Sequence, residues 1–550
     1  MHSIHFSTFL PLLLICFLAA PLRTDSQELE QDSKKYKFLY YAFEKIGSHG
    51  QQVSQSGKVL AQQGHSVSFL TGSDGPRDPK TNDNDFFSFI FYKSDYTTES
   101  RRDVFRELSR FSMTGELSSM SGIARLIYRT FVTGKPLVIQ LIIDECDALL
   151  GDSDTMERLR SERFDMLVAD DFSFCNAIVA EALDIPFVNC ANWGAMPDKY
   201  GRLFHVPTDP AYIPAHHTGF TDRMTLSQRL TNYISHWTSE YIQADFTGRY
   251  HQLKVKYNIN PEVHITESIQ QAKLWVFNRN YPLEFPRPMH PNTLMYASTI
   301  GGKRGNYTLS KDVSKFVEGA TAGVVLFSLG SHVESMELKQ GQMFADGFAK
   351  LPQRVLWQSN VNFTGLKLGK NTKMVNWLPL RDLMTHKNMK VFVTQGGVNS
   401  VHEALWAGLP MVGIPLLYDM FDNVDRAVAR GVALSLGDIT EVTSERLHDA
   451  VSTVIKDPKY RENALRDSAI LKDLLRFNPP AETIANWILH VTKFGGDHLR
   501  PAVYDLNFIQ RNLIDVYLIL LLVFTVVSGG NVLLCYFCCV GRKTSRPKRD

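Results

Sequence analysis

A histidine and an aspartate stand where predicted strands should end. His49 lies in the turn Gly47-Ser48-His49-Gly50 after the apolar run Lys37 to Ala42, and Asp170 closes the run Phe164 to Asp170, F-D-M-L-V-A-D. An imidazole titrates near neutral pH, so His49 suits a general base. Asp170 suits its partner, fixing the tautomer from the other ring nitrogen and stabilising the imidazolium as a proton arrives. A third feature lies in the second half of the chain. Val391 to Thr394 reads as a buried strand, Gln395-Gly396-Gly397 as a turn, and Val401, Ala404, Leu405 and Gly408 follow at helical spacing. Paired glycines let the backbone approach a ligand closely, and the first N–H groups of a helix, with its dipole, suit a pyrophosphate. A further short apolar run, Met411 to Pro415, ends near Asp419, which puts that carboxylate at the same sheet edge.

Alternating strands and helices must position these groups. Lys37 to Ala42 predicts a strand, and a helix follows to about Gln63 with Val53, Gly57 and Leu60 on one face. Gly64 ends it, and Val67 to Leu70 is the next strand. Phe87 to Phe91 is a further strand, and Arg102 to Ile142 reads as largely helical. After Asp170 come a helix from Cys175 to Leu183 and a strand from Ile185 to Val188. Pro207 to Pro291 is rich in prolines and aromatics with helical patches such as Leu226 to Tyr241, and its end, Tyr281 to Pro291, suits an interdomain crossing. A second series starts at Val324 to Leu329, with Ser328-Leu329-Gly330-Ser331 as another strand-end turn, and passes through Val355 to Trp357. Helices around Arg461 to Leu475 and Ala481 to Lys493 close it. The fold class is therefore α/β, with two facing Rossmann-like doubly wound domains, 25–290 and 291–510, and ligands in the cleft between them.

The 550 residues are 44% hydrophobic, enough for two sizeable cores. Lys and Arg total 59 against 57 Asp and Glu, with no basic block before the C-terminal tail, which argues against a nucleic-acid partner. The apolar run Phe9 to Ala20 reads as the core of a signal peptide, 1–24. Residues 516–540 have the length and composition of one transmembrane helix, and Arg542, Lys543, Arg546, Lys548 and Arg549 crowd the tail, 541–550. The positive-inside rule then puts the tail in the cytosol and the body in the lumen. Asn306 and Asn362 open sequons compatible with a lumenal body. Cys16 falls in the signal and Cys535, Cys538 and Cys539 in the membrane helix, leaving Cys146, Cys175 and Cys190. That odd count argues against a disulfide framework, and no spacing suggests a metal site.

Trp377, Pro379, Gln395-Gly396-Gly397, Asn399, Glu403, Gly408, Pro410 and Asp419 stand at the spacings of the donor-binding signature of UDP-glycosyltransferases, and Phe327 to Leu436 resembles the membrane-bound UDP-glucuronosyltransferases in particular. In the first half, Ser48-His49 followed by Gly64-His65, and F-D-M-L-V-A-D followed by Cys175 and I-P-F-V, resemble that family's acceptor domain. The resemblance implies a GT-B arrangement with His49 and Asp170 as catalytic residues. It gives Trp377 to the uracil, Glu403 to the ribose, Ser328 and the turn of Gln395, Gly396, Gly397 and Asn399 to the phosphates, and Asp419 to sugar hydroxyls. His65 keeps a structural reading. The partners implied are a UDP-sugar, which is a co-substrate rather than a cofactor, a small lipophilic acceptor as in xenobiotic conjugation, and the endoplasmic reticulum membrane. The oligomeric state stays open, a homo-oligomer included.

The chain departs from the family at Gln395 for His, Met420 for Gln, Leu380 for Gln and Gln358 for Arg. A thioether at 420 cannot donate to a sugar hydroxyl, so glucuronate, glucose and other hexoses stay open. A membrane-anchored binder that keeps the fold without catalysis is the alternative. The retained His49, Asp170, Glu403 and Asp419 argue against it. No G-x-G-x-x-G follows a strand, which argues against a NAD-dependent reductase.

Overall fold

The computed structural model describes residues 34–42, 48–72, 85–114, 138–192, 200–201, 204–216, 218–296, 309–330, 333–417 and 419–544. The expected signal peptide, Asn306 and the last six residues of the tail lie outside them.

Two all-parallel sheets carry the chain. The first contains β1 (Lys37–Tyr41), β2 (Ser66–Gly72), β3 (Ser88–Tyr92), β4 (Met166–Asp170), β5 (Phe187–Ala191), β6 (Leu274–Phe277) and β7 (Thr293–Met295), in the order β3-β2-β1-β4-β5-β6-β7. The second contains β8 (Val324–Ser328), β9 (Arg354–Gln358), β10 (Thr372–Val375), β11 (Met389–Thr394), β12 (Met411–Gly413) and β13 (Ala433–Ser435), in the order β10-β9-β8-β11-β12-β13. In both, the winding reverses beside the first strand, between β1 and β4 and between β8 and β11. A parallel sheet is buried on both faces, so its strands are apolar throughout and successive side chains enter different cores. Leu39 and Tyr41 join one layer of the first body and Phe38 and Tyr40 the other; Val325 and Phe327 split from Val324 and Leu326 in the same way in the second. The helical patch expected at Leu226 to Tyr241 continues to Lys256, opened by a capping box in which Gln228 N–H donates to Thr225 Oγ1 and Thr225 N–H to Gln228 Oε1.

Three expectations are corrected. Cys146 and Cys175 form a disulfide, with Cα atoms 5.6 Å apart, joining the helices Gln140–Gly151 and Cys175–Leu183 in one layer over the first sheet. The odd count leaves only Cys190 as a buried thiol and does not forbid one pair. Tyr281 to Pro291 is not the crossing between bodies: it connects β6 to β7, and Trp275 pairs with Thr293, so the first sheet runs past residue 290. The helix Pro480–Phe494 does not close the second body but returns to the first, where Ile484, Ala485, Ile488 and Val491 join Phe38, Tyr40 and Phe69. The apolar face of that helix matches the open layer of the first sheet, a pairing that chain order conceals.

An 18-residue window within Ile514–Val540 has a mean hydropathy of 2.4 and none of it is buried. The segment is long and apolar enough to cross a bilayer, and Ser528 to Asn531 do not interrupt the helix, which runs Ile514–Thr544.

Candidate active site

Each half of the site sits at the point where its sheet reverses its winding, the place where open α/β sheets leave a crevice beyond the strand ends. In the first body, His49 is the second residue of the helix Ser48–Gln62 that follows β1, and Asp170 is the last residue of β4. β1 and β4 are neighbours, with Tyr41 opposite Ala169, so the two side chains meet at one edge. His49 Nδ1 lies 3.0 and 2.9 Å from the two carboxylate oxygens of Asp170, whose side chain is fully buried. A carboxylate only accepts, so the imidazole proton resides on Nδ1 and Nε2 is the basic nitrogen. Phe172 packs edge-on against the ring at 5.0 Å and restrains its tilt. His65 stands at the opposite, amino-terminal edge, where Nδ1 accepts from Tyr36 N–H.

In the second body, Ser328 ends β8 and lies opposite Thr394, the end of β11. The turn that follows is fixed by Thr394, whose Oγ1 donates to Gln395 Oε1 and accepts from Gly396 N–H, both at 3.2 Å. Gly396 has φ +87°, and a Cβ there would meet Val424 and the Met420 carbonyl at 2.5 and 2.9 Å, so only glycine fits. Its neighbour Gly397 precedes the helix Val398–Trp406, which carries Asn399 in its first turn and Glu403 one turn further. Gln395 reaches across to the other strand-end turn, its amide lying where a Cβ on Gly330 would be. The turn therefore offers N–H groups and a helix dipole to an anion.

Trp377 is 59% exposed, which rules out a core role. Gln358 explains one departure: its Oε1 accepts from Leu378 N–H at 3.0 Å and so holds the segment that carries Trp377. Leu380 and Met420 are half-buried and pack against the cores on the two sides of the second sheet. Desolvation pushes the Glu403 carboxyl up to about 7, opposed by Arg381 and assisted by Asp382. Asp419 is also raised, chiefly by desolvation, against the pull of Arg279, the hydrogen bond from Asn423 and the charge of His216. Asn362 is exposed in the loop after β9. Among the described residues no group of three or more His, Cys, Asp or Glu side chains is arranged to hold a metal.

The two halves face each other. Leu417, just ahead of Asp419, packs with Phe172, Val138 and Ile142 of the first body. Asn278, directly after β6, donates to Asn192 and to Asn399, both at 3.1 Å, and so crosses from one strand edge to the other. His216 forms an ion pair with Asp422. Sequence reasoning singled out none of Asn278, Arg279, His216 and Asn423. The sequence reading places no strand ahead of Asn278, and nothing marks Asn423 until its partners are placed.

Solved structures share this architecture. The glycotransferase of kitacinnamycin superposes with a TM-score of 0.57 at 17% identity, covering 83% of this chain and 99% of that one. Phytolacca americana UGT2, solved with UDP-2fluoro-glucose and pterostilbene, gives 0.53 at 18%, covering 83% and 99%. Human UDP-glucuronosyltransferase 2A2 is 33% identical over 419 residues, 74% of this chain and 76% of its own length. Human UDP-glucuronosyltransferase 1A6 is 30% identical over 512 residues, 90% and 91% of the two chains. A family model described as "UDP-glucoronosyl and UDP-glucosyl transferase" matches residues 37–546. The chain belongs to the UDP-glucuronosyl and UDP-glucosyl transferase family.

Proposed function

We propose that the protein transfers a hexose, glucuronate or glucose, from UDP to a hydroxyl of a small lipophilic acceptor with inversion at the anomeric carbon. The observation that carries this reading is the His49–Asp170 pair at one sheet edge, facing the Gln395 to Asn399 turn at the other. His49 Nε2 takes the acceptor proton as the oxygen attacks, and Asp170 stabilises the imidazolium. The bond from the anomeric carbon to the diphosphate breaks in the same displacement, so no enzyme-bound sugar intermediate forms. The helix N-terminus after Gly397 stabilises the departing UDP. Trp377 stacks on uracil, Glu403 accepts from ribose hydroxyls, Ser328 and the turn contact the phosphates, and Asp419 accepts from sugar hydroxyls. The reaction as written uses the UDP-sugar as co-substrate and calls on no cofactor.

The body works in the lumen of the endoplasmic reticulum, anchored by Ile514–Val540 as a single-pass type I protein, with Asn306 and Asn362 as glycosylation sites. The apolar helix and the basic tail after it support that placement. The test is a screen of the full-length protein in detergent against several UDP-sugars and a mixed phenol and sterol panel, read by mass spectrometry and by the anomeric configuration of the product. His49→Ala should lose turnover by about 10²-fold or more while binding UDP as wild type does. Retained configuration, or near wild-type turnover in that variant, refutes the mechanism.

A further inference from the structure

One buried amide touches three separate parts of the site. Asn423 is 2% exposed and lies on the first turn of the helix Met420–Ala429. Its Nδ2 donates to Asp419 Oδ2 at 2.9 Å and to the carbonyl of Gly396 at 2.9 Å. Its Oδ1 accepts from Arg279 Nη1 of the first body at 2.5 Å. All three bonds an amide of this kind forms here are thus directed: one to the sugar-facing carboxylate, one to the middle of the phosphate turn, one across the cleft. Arg279 is itself held. Its Nε lies 3.1 Å from Glu284, which Arg426 also approaches at 3.3 Å, and Arg430 donates to the Glu284 carbonyl at 2.6 Å. The three guanidiniums Arg426, Arg279 and Arg287 outweigh desolvation and hold the Glu284 carboxyl below its usual range.

We propose that Asn423 is a positioning residue that couples the seating of the two bodies, sensed through Arg279, to the orientation of Asp419 and of the phosphate turn. When Arg279 engages Oδ1, the amide plane is fixed, because oxygen and nitrogen occupy opposite arms of one rigid group. Nδ2 must then point at Asp419 and Gly396. When the bodies separate, Oδ1 loses its buried donor, the amide is free to turn, and Asp419 loses a directed partner. Donor-site geometry thereby depends on closure. This rests on the reading of Asp419 as a donor-sugar contact.

Steady-state kinetics of the full-length protein with UDP-hexose test this in Asn423→Asp, Arg279→Gln, the double variant and Asp419→Asn. Asn423→Asp keeps the shape and the acceptor for Arg279 but turns both donations into repulsions. Arg279→Gln leaves Glu284 paired with Arg426 and so preserves a buried ion pair. The expected result is a rise in donor KM of about tenfold or more in each single variant, since lost hydrogen bonds to a charged group carry that scale, with acceptor KM at saturating donor within about twofold. The double variant should show less than the product of the single effects. Additive effects overturn the coupling while Asp419→Asn still raises donor KM. Wild-type donor KM in Asp419→Asn overturns the underlying placement of the sugar and the coupling with it. If Asn423→Asp does not fold, Arg279→Gln alone decides through the same KM split.

Discussion

Donor affinity should depend on pH through Glu403. Its carboxyl is half-ionised at about 7 because it is desolvated on the helix Val398–Trp406, and the charge of Arg381 only partly offsets that burial. Accepting from two ribose hydroxyls needs the ionised form, so below that pH binding must first expel a proton. The sign follows: affinity falls as pH falls, and it levels once Glu403 is ionised in the free protein. With half-ionisation at about 7, the ionised fraction drops about tenfold between pH 8 and pH 6, which is about 1.4 kcal/mol of binding. A terminal phosphate with a second pKa of about 6 would titrate in the same range, so the ligand should be a UDP-hexose, whose diphosphate is esterified at both ends. Calorimetry at several pH values, repeated in buffers of different ionisation enthalpy, measures both the affinity and the proton released. Glu403→Gln should flatten the curve and abolish the release, and Asp419→Asn should leave both in place. A flat wild-type profile, or a slope that survives Glu403→Gln, refutes the assignment of the ribose to this carboxylate.

Other expectations follow from the same geometry. Asp170→Asn should lower turnover by about 10²-fold or more, because an amide cannot stabilise the imidazolium; UDP affinity measured by titration should not change. Replacing Cys146 and Cys175 together by Ala removes a link spanning 29 residues, which on chain entropy costs about 3–4 kcal/mol and should appear as a lower urea midpoint. Met420→Gln should sharpen discrimination among UDP-hexoses in competition assays, by about 0.5–1.5 kcal/mol for one added hydrogen bond, with little effect on UDP itself. Unchanged discrimination would place position 420 away from the sugar.

Much of the fold was legible in the sequence because buried parallel strands write themselves as short apolar runs with polar residues at their ends. Lys37 to Ala42, Phe164 to Asp170 and Val391 to Thr394 all showed this, and the functional residues sit where those runs stop. The glycine turn was legible for a related reason, since Gly396 occupies a conformation and a contact that exclude side chains. What stayed hidden depended on pairs distant in sequence. The Cys146–Cys175 bridge needs two helices to be known as neighbours. The destination of the helix Pro480–Phe494 depends on which sheet has an open layer, and its amphipathic pattern fits either. The proline-rich Tyr281 to Pro291 was read as a crossing because prolines mark any irregular chain, whether it joins bodies or strands. Asn278 and Asn423 were missed because an asparagine carries no signal until its partners are placed.

The return of the helix Pro480–Phe494 has a mechanical consequence. The polypeptide enters the second body once, between β7 and β8, and leaves it once, before Pro480, so both ends of that body are joined covalently to the first. The apolar helix continues from the first body, because the segment leading to it is fastened there: Arg500 donates to the Gln270 carbonyl at 2.9 Å, and Tyr504 packs beside His205 and His290. A pull along that helix therefore reaches first the body that holds His49 and Asp170.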